Sequence, residues 1–266
     1  MVLHMIVAQS KLVIGCIHCN SRYCEYVSLL VPDRHYSSDD PEIMDRPGND
    51  PDLLADDLKN LRIINRCFGG LRAIRRNVLP LIDRIDTQRE IEVLDLATGS
   101  ADYPLDLAKW MRRLDRNVHI VAVDNNPFMV ETARERTAAF PEITVNDMDV
   151  LSLAYPDRSF DVVLCSSAIH HFSRRDAVRL LREMCRLCRI GFIVNDLDRS
   201  RLGAWAAWFY GHLSTTNPIT RYDSYVSVLR AFTKNELTAM SREAGIDSFI
   251  VERQAFFRLI LVGVNL

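Results

Sequence analysis

The sequence predicts an α/β fold in which helices cover both faces of one doubly wound sheet. Two apolar runs, residues 91–95 and 119–124, are each followed by a helix-like stretch. Such alternation is typical of βαβ units. The chain has 266 residues, of which 48% are hydrophobic, enough for one large core with a small appendage.

The first 50 residues differ from the rest of the chain. They show no sustained hydrophobic period, and the segment before residue 51 is acidic and contains proline and glycine, as linkers do. We expect residues 1–50 to be a poorly ordered extension, with Met44 as an alternative start. Residues 51–266 are then the folded domain.

Residues 51–86 have apolar side chains at intervals of three and four, which predicts helices. Gly69 and Gly70 divide them into two.

The first apolar run leads through Asp95 into a turn of small residues, 97–101, and then into a helix. Small side chains let a ligand reach backbone N–H groups, and a helix N-terminus adds a favourable dipole. Gly99 is the one glycine of this turn, so an ordinary strand-to-helix connection explains it equally well in isolation. The second run, however, also closes on an acid, Asp124, in the spacing of a ribose-binding carboxylate.

The later elements continue the alternation. A short strand precedes Asp149, and a buried type of strand follows at residues 160–166. We predict a helix at 173–188, a strand at 190–195, an insertion at 198–231 and a helix at 233–243. The last helix opens with a capping box of Thr233 and Glu236. Two final strands, 247–254 and 256–264, suit an antiparallel hairpin.

At these motifs the chain resembles class I S-adenosylmethionine-dependent methyltransferases, and among them the ubiquinone/menaquinone biosynthesis C-methyltransferases. The family's first motif reads here as residues 95–102, with Ala97 and Ala101 at positions where glycine is usual. The resemblance covers roughly residues 50–262. It implies a seven-stranded, Rossmann-like sheet that is parallel except for its last strand, and S-adenosyl-L-methionine as cofactor.

The family resemblance further implies that the N-terminal helices of residues 51–86 lie over the ligand cleft, which makes Asn65 and Arg66 candidates to face it. Ordinary surface packing explains these two residues as well.

The resemblance also implies a set of cofactor-binding residues. Backbone of the first turn is expected to hold the methionine portion, Asp124 the ribose hydroxyls, and residues after the second and third strands the adenine. For Asp149 the alternative is an acid that only caps a turn. The full set is Asp95, Ala97, Thr98, Gly99, Ala101, Asp124, Asn125, Met129, Asp149, Val150 and Ser166.

His170 and His171 follow the fourth strand and are the candidate catalytic residues. Methyl transfer to a hydroxyl or an acidic carbon needs the removal of one proton, and histidine titrates near neutral pH. Alternatively, the pair shapes the pocket or caps the next helix. Residues 165–168 differ from the NPPY-like sequence of enzymes that methylate the amino groups of bases or glutamine. Nucleic-acid N-methylation is therefore not expected.

The insertion at 198–231 is the predicted substrate lid, because it mixes aromatic residues with a few polar ones, as small-ligand pockets do. The alternative is that its aromatics anchor a lid helix on the core. An aromatic, quinone or polyketide-type acceptor would suit it. The candidate substrate-binding residues are Trp205, Trp208, Tyr210, His212, Arg221 and Tyr225.

Composition limits the partners. A formal net charge of −2 argues against a nucleic-acid partner, and the insertion lacks the basic belt of a stable membrane anchor. Seven scattered cysteines suit a reducing cytoplasm, and no signal peptide is expected. Cys16 and Cys19 with Cys185 and Cys188 form two metal-type pairs, but the second pair has the pattern of core packing, so we expect no metal. A monomer or a homodimer is expected.

Three functions remain open from the sequence. The first is an O- or C-methyltransferase acting on a small metabolite. The second is a cofactor-binding protein without catalysis, suggested by the two alanines of the first turn. The third is a nicotinamide-dependent oxidoreductase, which the incomplete glycine pattern disfavours.

Overall fold

The structure is a computed structural model, and it describes residues 31–37 and 40–265. Part of the predicted extension and the first cysteine pair, Cys16 and Cys19, lie outside the described residues. The elements are numbered here in chain order. The helices are α1 (Pro51–Cys67), α2 (Gly70–Ile82), α3 (Asp102–Arg113), α4 (Pro127–Thr137), α5 (Arg174–Leu187), α6 (Arg201–Ser214), α7 (Pro218–Arg230) and α8 (Lys234–Glu243).

One sheet of seven strands forms the centre of the molecule, in the order β3-β2-β1-β4-β5-β7-β6. Strand β7 runs antiparallel to both of its neighbours, and the other pairings are parallel. The predicted doubly wound sheet with an antiparallel last strand is confirmed. The strands are β1 (Ile91–Leu96), β2 (Val118–Asp124), β3 (Ile143–Asp147), β4 (Phe160–Ser166), β5 (Cys188–Leu197), β6 (Phe249–Gln254) and β7 (Arg258–Val264).

Two hydrophobic clusters cover the two faces of the sheet. Successive side chains of a strand point to opposite faces, so Val93 packs with α2 and α3, whereas Leu94 packs with α5 and α8. The central strands are buried on both sides, as parallel strands between helices must be. This layering leaves the carboxyl ends of β1, β2 and β4 as the edge where a ligand can enter.

The predicted element boundaries agree with the structure to within a few residues. Gly69 has φ +78°, in the left-handed region, and separates α1 from α2. The capping box of Thr233 and Glu236 is present at the start of α8. Strand β5 begins earlier than predicted, at Cys188, because the buried Cys188 already has extended backbone. The predicted insertion consists of α6 and α7, which pack against each other.

Residues 31–37 and 40–50, here called the N-terminal strap, pack on the domain. Backbone N–H groups of Ile43 and Met44 donate to the two carboxylate oxygens of Asp223, at 2.8 and 2.9 Å. The Arg34 guanidinium donates to the carbonyls of His170 and Phe172, at 3.0 and 2.8 Å. The sequence predicted a poorly ordered extension; its described part is instead a packed element beside β4. A chain starting at Met44 would lack Arg34.

Two further expectations concern the cysteines and the membrane. Asn265 donates to the carbonyls of Cys185 and Cys188, at 3.0 and 2.7 Å, and Cys188 is fully buried, so this pair is part of the packed domain. Within residues 31–37 and 40–265, no helix has the length and apolar character needed to span a bilayer.

Candidate active site

Two cavities meet at the carboxyl ends of β1 and β4. The outer cleft has a volume of about 750 Å³ and lies between the N-terminal strap and the loops after β1, β2 and β3. The inner chamber, of about 320 Å³, lies under α1 and α6. A ligand in one cavity therefore borders a ligand in the other. The residues that line both are Met44, Ala97, Gly99, Met129, Ser167 and His171.

The turn after β1 bends sharply to leave this edge open. Ala97, Gly99 and Ala101 all have φ between +53° and +59°, in the left-handed region. Ala97 and Gly99 line both cavities, and a Cβ built at Gly99 meets no atom within 4 Å. Thr98 lines the inner chamber, and its Oγ1 donates to Asp95 Oδ2 at 2.7 Å. The turn therefore borders both cavities through Ala97 and Gly99.

Ala101 differs from the sequence-based expectation. It is fully buried and lines neither cavity. Its N–H bonds to the carbonyl of Thr98 at 3.0 Å, which turns its methyl group into the core at the start of α3. The methyl group that the sequence places beside the cofactor therefore lies away from the two cavities.

Two buried acids support the turn. Asp95 is 1% exposed, and burial raises its pKa to about 7 despite the hydrogen bond from Thr98. Asp124 ends β2 and lines the outer cleft. Its Oδ2 accepts from the Gly99 N–H at 2.8 Å, and its Oδ1 accepts from the Asn126 N–H at 3.0 Å. Burial raises the pKa of Asp124, and these backbone N–H groups oppose that rise.

The remaining predicted cofactor residues divide between the cavities. Asn125, Met129, Asp149 and Val150 line the outer cleft, together with Asp124. Asp149 is exposed, and its Oδ1 accepts from the Leu151 N–H at 2.9 Å, so it also caps the turn as the alternative had it.

Ser166 lines the inner chamber instead, and its Oγ is buried without a hydrogen-bond partner. Asp95 lines neither cavity and reaches the site through Thr98.

Both candidate catalytic histidines line the inner chamber, and each is held by a carboxylate. His170 is 3% exposed, and its Nδ1 donates to Asp196 Oδ1 at 2.7 Å. Burial raises the pKa of Asp196, but the contact with His170 outweighs it and holds that pKa below its usual range. An ionised Asp196 fixes the proton on Nδ1 and leaves Nε2 of His170 as the accepting nitrogen.

His171 is held by a second carboxylate. Its Nδ1 lies 2.8 Å from Asp45 Oδ2. Burial lowers its pKa, but Glu42 and Asp45 outweigh burial and raise it to about 10. His171 is therefore protonated at neutral pH and is not available as a base there.

Several residues of the site escaped the sequence analysis. Glu42, in the N-terminal strap, lines the inner chamber and accepts from Ser227 Oγ at 2.8 Å. Arg258 lines it too, is 2% exposed, and donates to Asn65 Oδ1 at 3.0 Å. The sequence offered one signal for Arg258, because it is the single arginine in an apolar strand and buried arginines are rare unless they are paired or take part in a site. Asn65 faces the chamber as expected, whereas Arg66 lines neither cavity.

Of the predicted substrate-binding residues, the structure brings only Tyr210 to the chamber. Helix α6 is apolar on opposite faces: Gly203, Ala206, Ala207 and Tyr210 face the chamber, and the large aromatics face outward. Trp205 is 70% exposed. The residues that line neither cavity are Trp205, Trp208, His212, Arg221 and Tyr225. The other lining aromatics are Phe68, directly after α1, Tyr103 of α3, and Phe256 and Phe257 of the β6–β7 turn.

Comparison with known proteins agrees with this geometry. Residues 93–191 match the family model described as "Methyltransferase domain". A demethylmenaquinone methyltransferase of Deinococcus radiodurans is 36% identical over 100 residues, 37% of this chain and 39% of that protein. One from Thermotoga maritima is 28% identical over 199 residues, 70% of this chain and 82% of that protein. The matched part thus spans well under half of the first relative and most of the second.

Solved structures with the same fold are more distant in sequence. A "SAM dependent methyltransferase from Aquifex aeolicus" aligns with a TM-score of 0.55 and 16% identity over 82% of this chain and all of that one. The CurJ carbon methyltransferase aligns with a TM-score of 0.59 and 11% identity, over 83% of this chain and 62% of that one. These similarities concern the fold. With the family match and the relatives, they confirm the predicted resemblance and the methyltransferase domain.

Proposed function

We propose that this S-adenosylmethionine-dependent methyltransferase methylates a carbon or oxygen atom of a small aromatic, quinone-type acceptor that binds in the inner chamber. The observation that carries the proposal is the meeting of the two cavities at Ala97, Gly99 and His171. Methyl transfer requires a donor and an acceptor side by side with little water between them, which two adjoining cavities provide.

The outer cleft fits the cofactor. Asp124 keeps both carboxylate oxygens at the cleft wall, and each oxygen that accepts one backbone N–H retains a lone pair for a ribose hydroxyl. Gly99 leaves open space beside the turn. Bound there, the cofactor supplies an electrophilic methyl group on a sulfonium.

The inner chamber fits a flat, mostly apolar ring with a few polar substituents. Its aromatic wall is built around Phe68, whose ring lies 4.8 Å from Tyr210 and 5.5 Å from Phe256, both edge to face. Arg258 and Asn65 supply polar atoms beside this wall. A quinol or phenol presents that combination of ring and oxygen atoms. The names of the two demethylmenaquinone methyltransferases support the same class of acceptor.

The two histidines then divide the chemistry. His170, held by Asp196, accepts the proton of the acceptor at Nε2, which makes the attacking oxygen or ring carbon more nucleophilic. The charged His171 stabilises the negative charge that develops on the acceptor. Bound S-adenosylmethionine would supply the methyl group, and the electron pair of the broken carbon–sulfur bond would remain on the sulfur.

The test is methyl transfer from isotopically labelled S-adenosylmethionine to a panel of reduced naphthoquinones, phenols and polyketide thioesters, with products identified by mass. We expect transfer to a quinol or phenol, and loss of turnover with retained cofactor binding in His170→Ala and Asp196→Asn. His119→Ala, at the surface beside Glu92, is the control. Cofactor binding without transfer to any member of the panel would favour a binding protein, and transfer confined to polyketide thioesters would replace the acceptor class.

A further inference from the structure

A cluster of three potential metal ligands lies in the wall of the inner chamber. One ligand atom each from Glu42, His170 and His171 lies within 4.8 Å of the other two. Glu42 and His170 are buried, and His171 is partly exposed towards the chamber. Among residues 31–37 and 40–265, it is the one such group of His, Cys, Asp or Glu side chains that the structure brings together.

The two imidazoles are arranged as metal-binding histidines usually are. In metal sites, the second ring nitrogen normally donates to a carboxylate, which fixes the ring and its tautomer. Here Nδ1 of His170 bonds to Asp196 at 2.7 Å, and Nδ1 of His171 lies 2.8 Å from Asp45. Nε2 is then the nitrogen of each ring that can face a metal, and on the charged His171 the metal has to displace a proton. On His170 it lies 3.6 Å from Glu42 Oε1.

Glu42 supplies an independent observation. Its side chain is 1% exposed, and Oε1 has no hydrogen-bond partner, whereas Oε2 accepts from Ser227. A buried carboxylate oxygen without a hydrogen-bond partner lowers the stability of the fold. A cation bound between this oxygen and the two imidazoles would remove that cost.

We propose that Glu42, His170 and His171 bind one divalent transition-metal ion, Zn²⁺ or Fe²⁺, with open coordination positions towards the inner chamber. Two histidines and one carboxylate are the ligands of catalytic zinc sites and of non-haem Fe²⁺ sites. Ligand atoms about 2.1 Å from a common ion lie roughly 3.0–3.4 Å apart, so the separation of His170 and Glu42 needs almost no adjustment. The ligand atom of His171 lies within 4.8 Å of the other two, so it has to approach them by up to about 1.4 Å.

This inference rests on the proposed function in one respect, the role of the ion. An acceptor oxygen in the chamber would occupy an open position, and coordination lowers the pKa of its hydroxyl group. With the ion bound, Nε2 of His170 is a ligand and no longer the base. The hydroxyl proton would then pass to solvent, and the oxygen beside the ion would keep the negative charge that activates the ring. Loss of activity in a histidine variant fits a base and a ligand equally well. The test therefore measures the metal.

The experiment starts from the full chain stripped with a chelator. Zn²⁺, Fe²⁺ under anaerobic conditions, and Co²⁺ as a spectroscopic probe are titrated, and bound metal is counted by elemental analysis. We expect one ion per chain, binding at least tenfold weaker in Glu42→Gln, and about 10–100-fold weaker in Asp196→Asn, which removes only the support of His170. Folding of each variant is checked by circular dichroism. The control variant is Cys16→Ser with Cys19→Ser, which removes the competing cysteine pair and should bind the ion as the unchanged chain does.

Each result decides the proposal. Stoichiometric binding that Glu42→Gln weakens supports it. Absence of binding, or equal binding by Glu42→Gln and the unchanged chain, would overturn it. A sulfur-to-cobalt charge-transfer band in the unchanged chain, together with loss of binding in the cysteine variant, would overturn it as well. S-adenosylhomocysteine is titrated in parallel, because cofactor binding and methyl transfer by a metal-free chain would leave the proposed function intact while the metal proposal fails.

Discussion

The backbone N–H of Gly99 donates a hydrogen bond of 2.8 Å to Oδ2 of Asp124. This contact joins the turn after β1 to the end of β2, the two segments whose acids the sequence singled out. Asp124 thus fixes the shape of the turn and also presents its remaining lone pairs to the outer cleft. The Asp124 side chain therefore holds the turn after β1 and the end of β2, the two sides of the cofactor cleft, in fixed positions relative to each other.

Asp124→Ala should weaken binding of S-adenosylhomocysteine by at least tenfold. The change removes two charge-assisted hydrogen-bond acceptors from the cleft and releases the Gly99 N–H. Calorimetric titration measures the loss. The matched control is Asp147→Ala, an exposed acid at the end of β3 that lines neither cavity. Equal affinity of the two variants would contradict the role of Asp124.

Tyr210→Ala should raise the KM for the acceptor roughly 5–30-fold, the effect of about 1–2 kcal/mol of lost ring contact, while cofactor affinity stays the same. Tyr210 lines the inner chamber and packs against Phe68. Trp205→Ala is the control, because Trp205 lies on the same helix but 70% exposed. Steady-state kinetics with the acceptor found in the screen check both. A larger increase in KM for Trp205→Ala than for Tyr210→Ala would instead support the sequence-based prediction that Trp205 binds the substrate.

The fold was predictable because its signals are local. Each signal involves residues that are close together in the sequence, and each predicted feature is present in the structure. The signals are the apolar runs that end at Asp95 and Asp124, the glycine pair at 69–70 and the capping box at Thr233. The seven-stranded sheet with an antiparallel last strand followed from the family resemblance. Helix α6 shows where periodicity fails: both of its faces are apolar, so the sequence could not tell the chamber side from the solvent side.

The inner chamber was less predictable because distant segments build it. Glu42 belongs to a segment whose composition indicates a linker, yet it is buried against Ser227, 185 residues along the chain. The metal-type cluster joins Glu42 to His170 and His171, and no local spacing announces such a group. The sequence-based search for metal ligands therefore considered only cysteine pairs.

Ala97→Gly should stabilise the chain by about 1 kcal/mol, whereas Ala101→Gly should change its stability by less. Both alanines have left-handed backbone, which costs a residue with a Cβ about 1–2 kcal/mol relative to glycine. Ala101 is fully buried, so glycine there also loses roughly 1 kcal/mol of methyl packing, whereas Ala97 lies at the cavity wall. Urea unfolding of the two variants measures the difference. Equal stabilisation by both would contradict the buried position of the Ala101 methyl group.

Asp95→Asn should stabilise the chain increasingly as the pH rises from about 4 to about 7. Asp95 is buried, with Oδ1 lacking a partner, and burial raises its pKa from 3.8 to about 7. The folded chain therefore binds this proton more tightly than the unfolded chain does. The contribution of this carboxyl group to the free energy of unfolding is present in full below pH 4 and is lost as the pH rises through 7. A difference of three pH units sets an upper size of about 4 kcal/mol.

The measurement for Asp95 is urea unfolding of the cofactor-free chain at pH 5, 6, 7 and 8. Asp57 and Asp223 also have raised pKa values, about 6 and about 7, so the unchanged chain loses stability over this window for several reasons. The difference between Asp95→Asn and the unchanged chain isolates one carboxyl, and Asp147→Asn controls for the loss of one negative charge at an exposed site. A difference that stays constant from pH 5 to pH 8 would show that Asp95 ionises in the folded chain as easily as in the unfolded one.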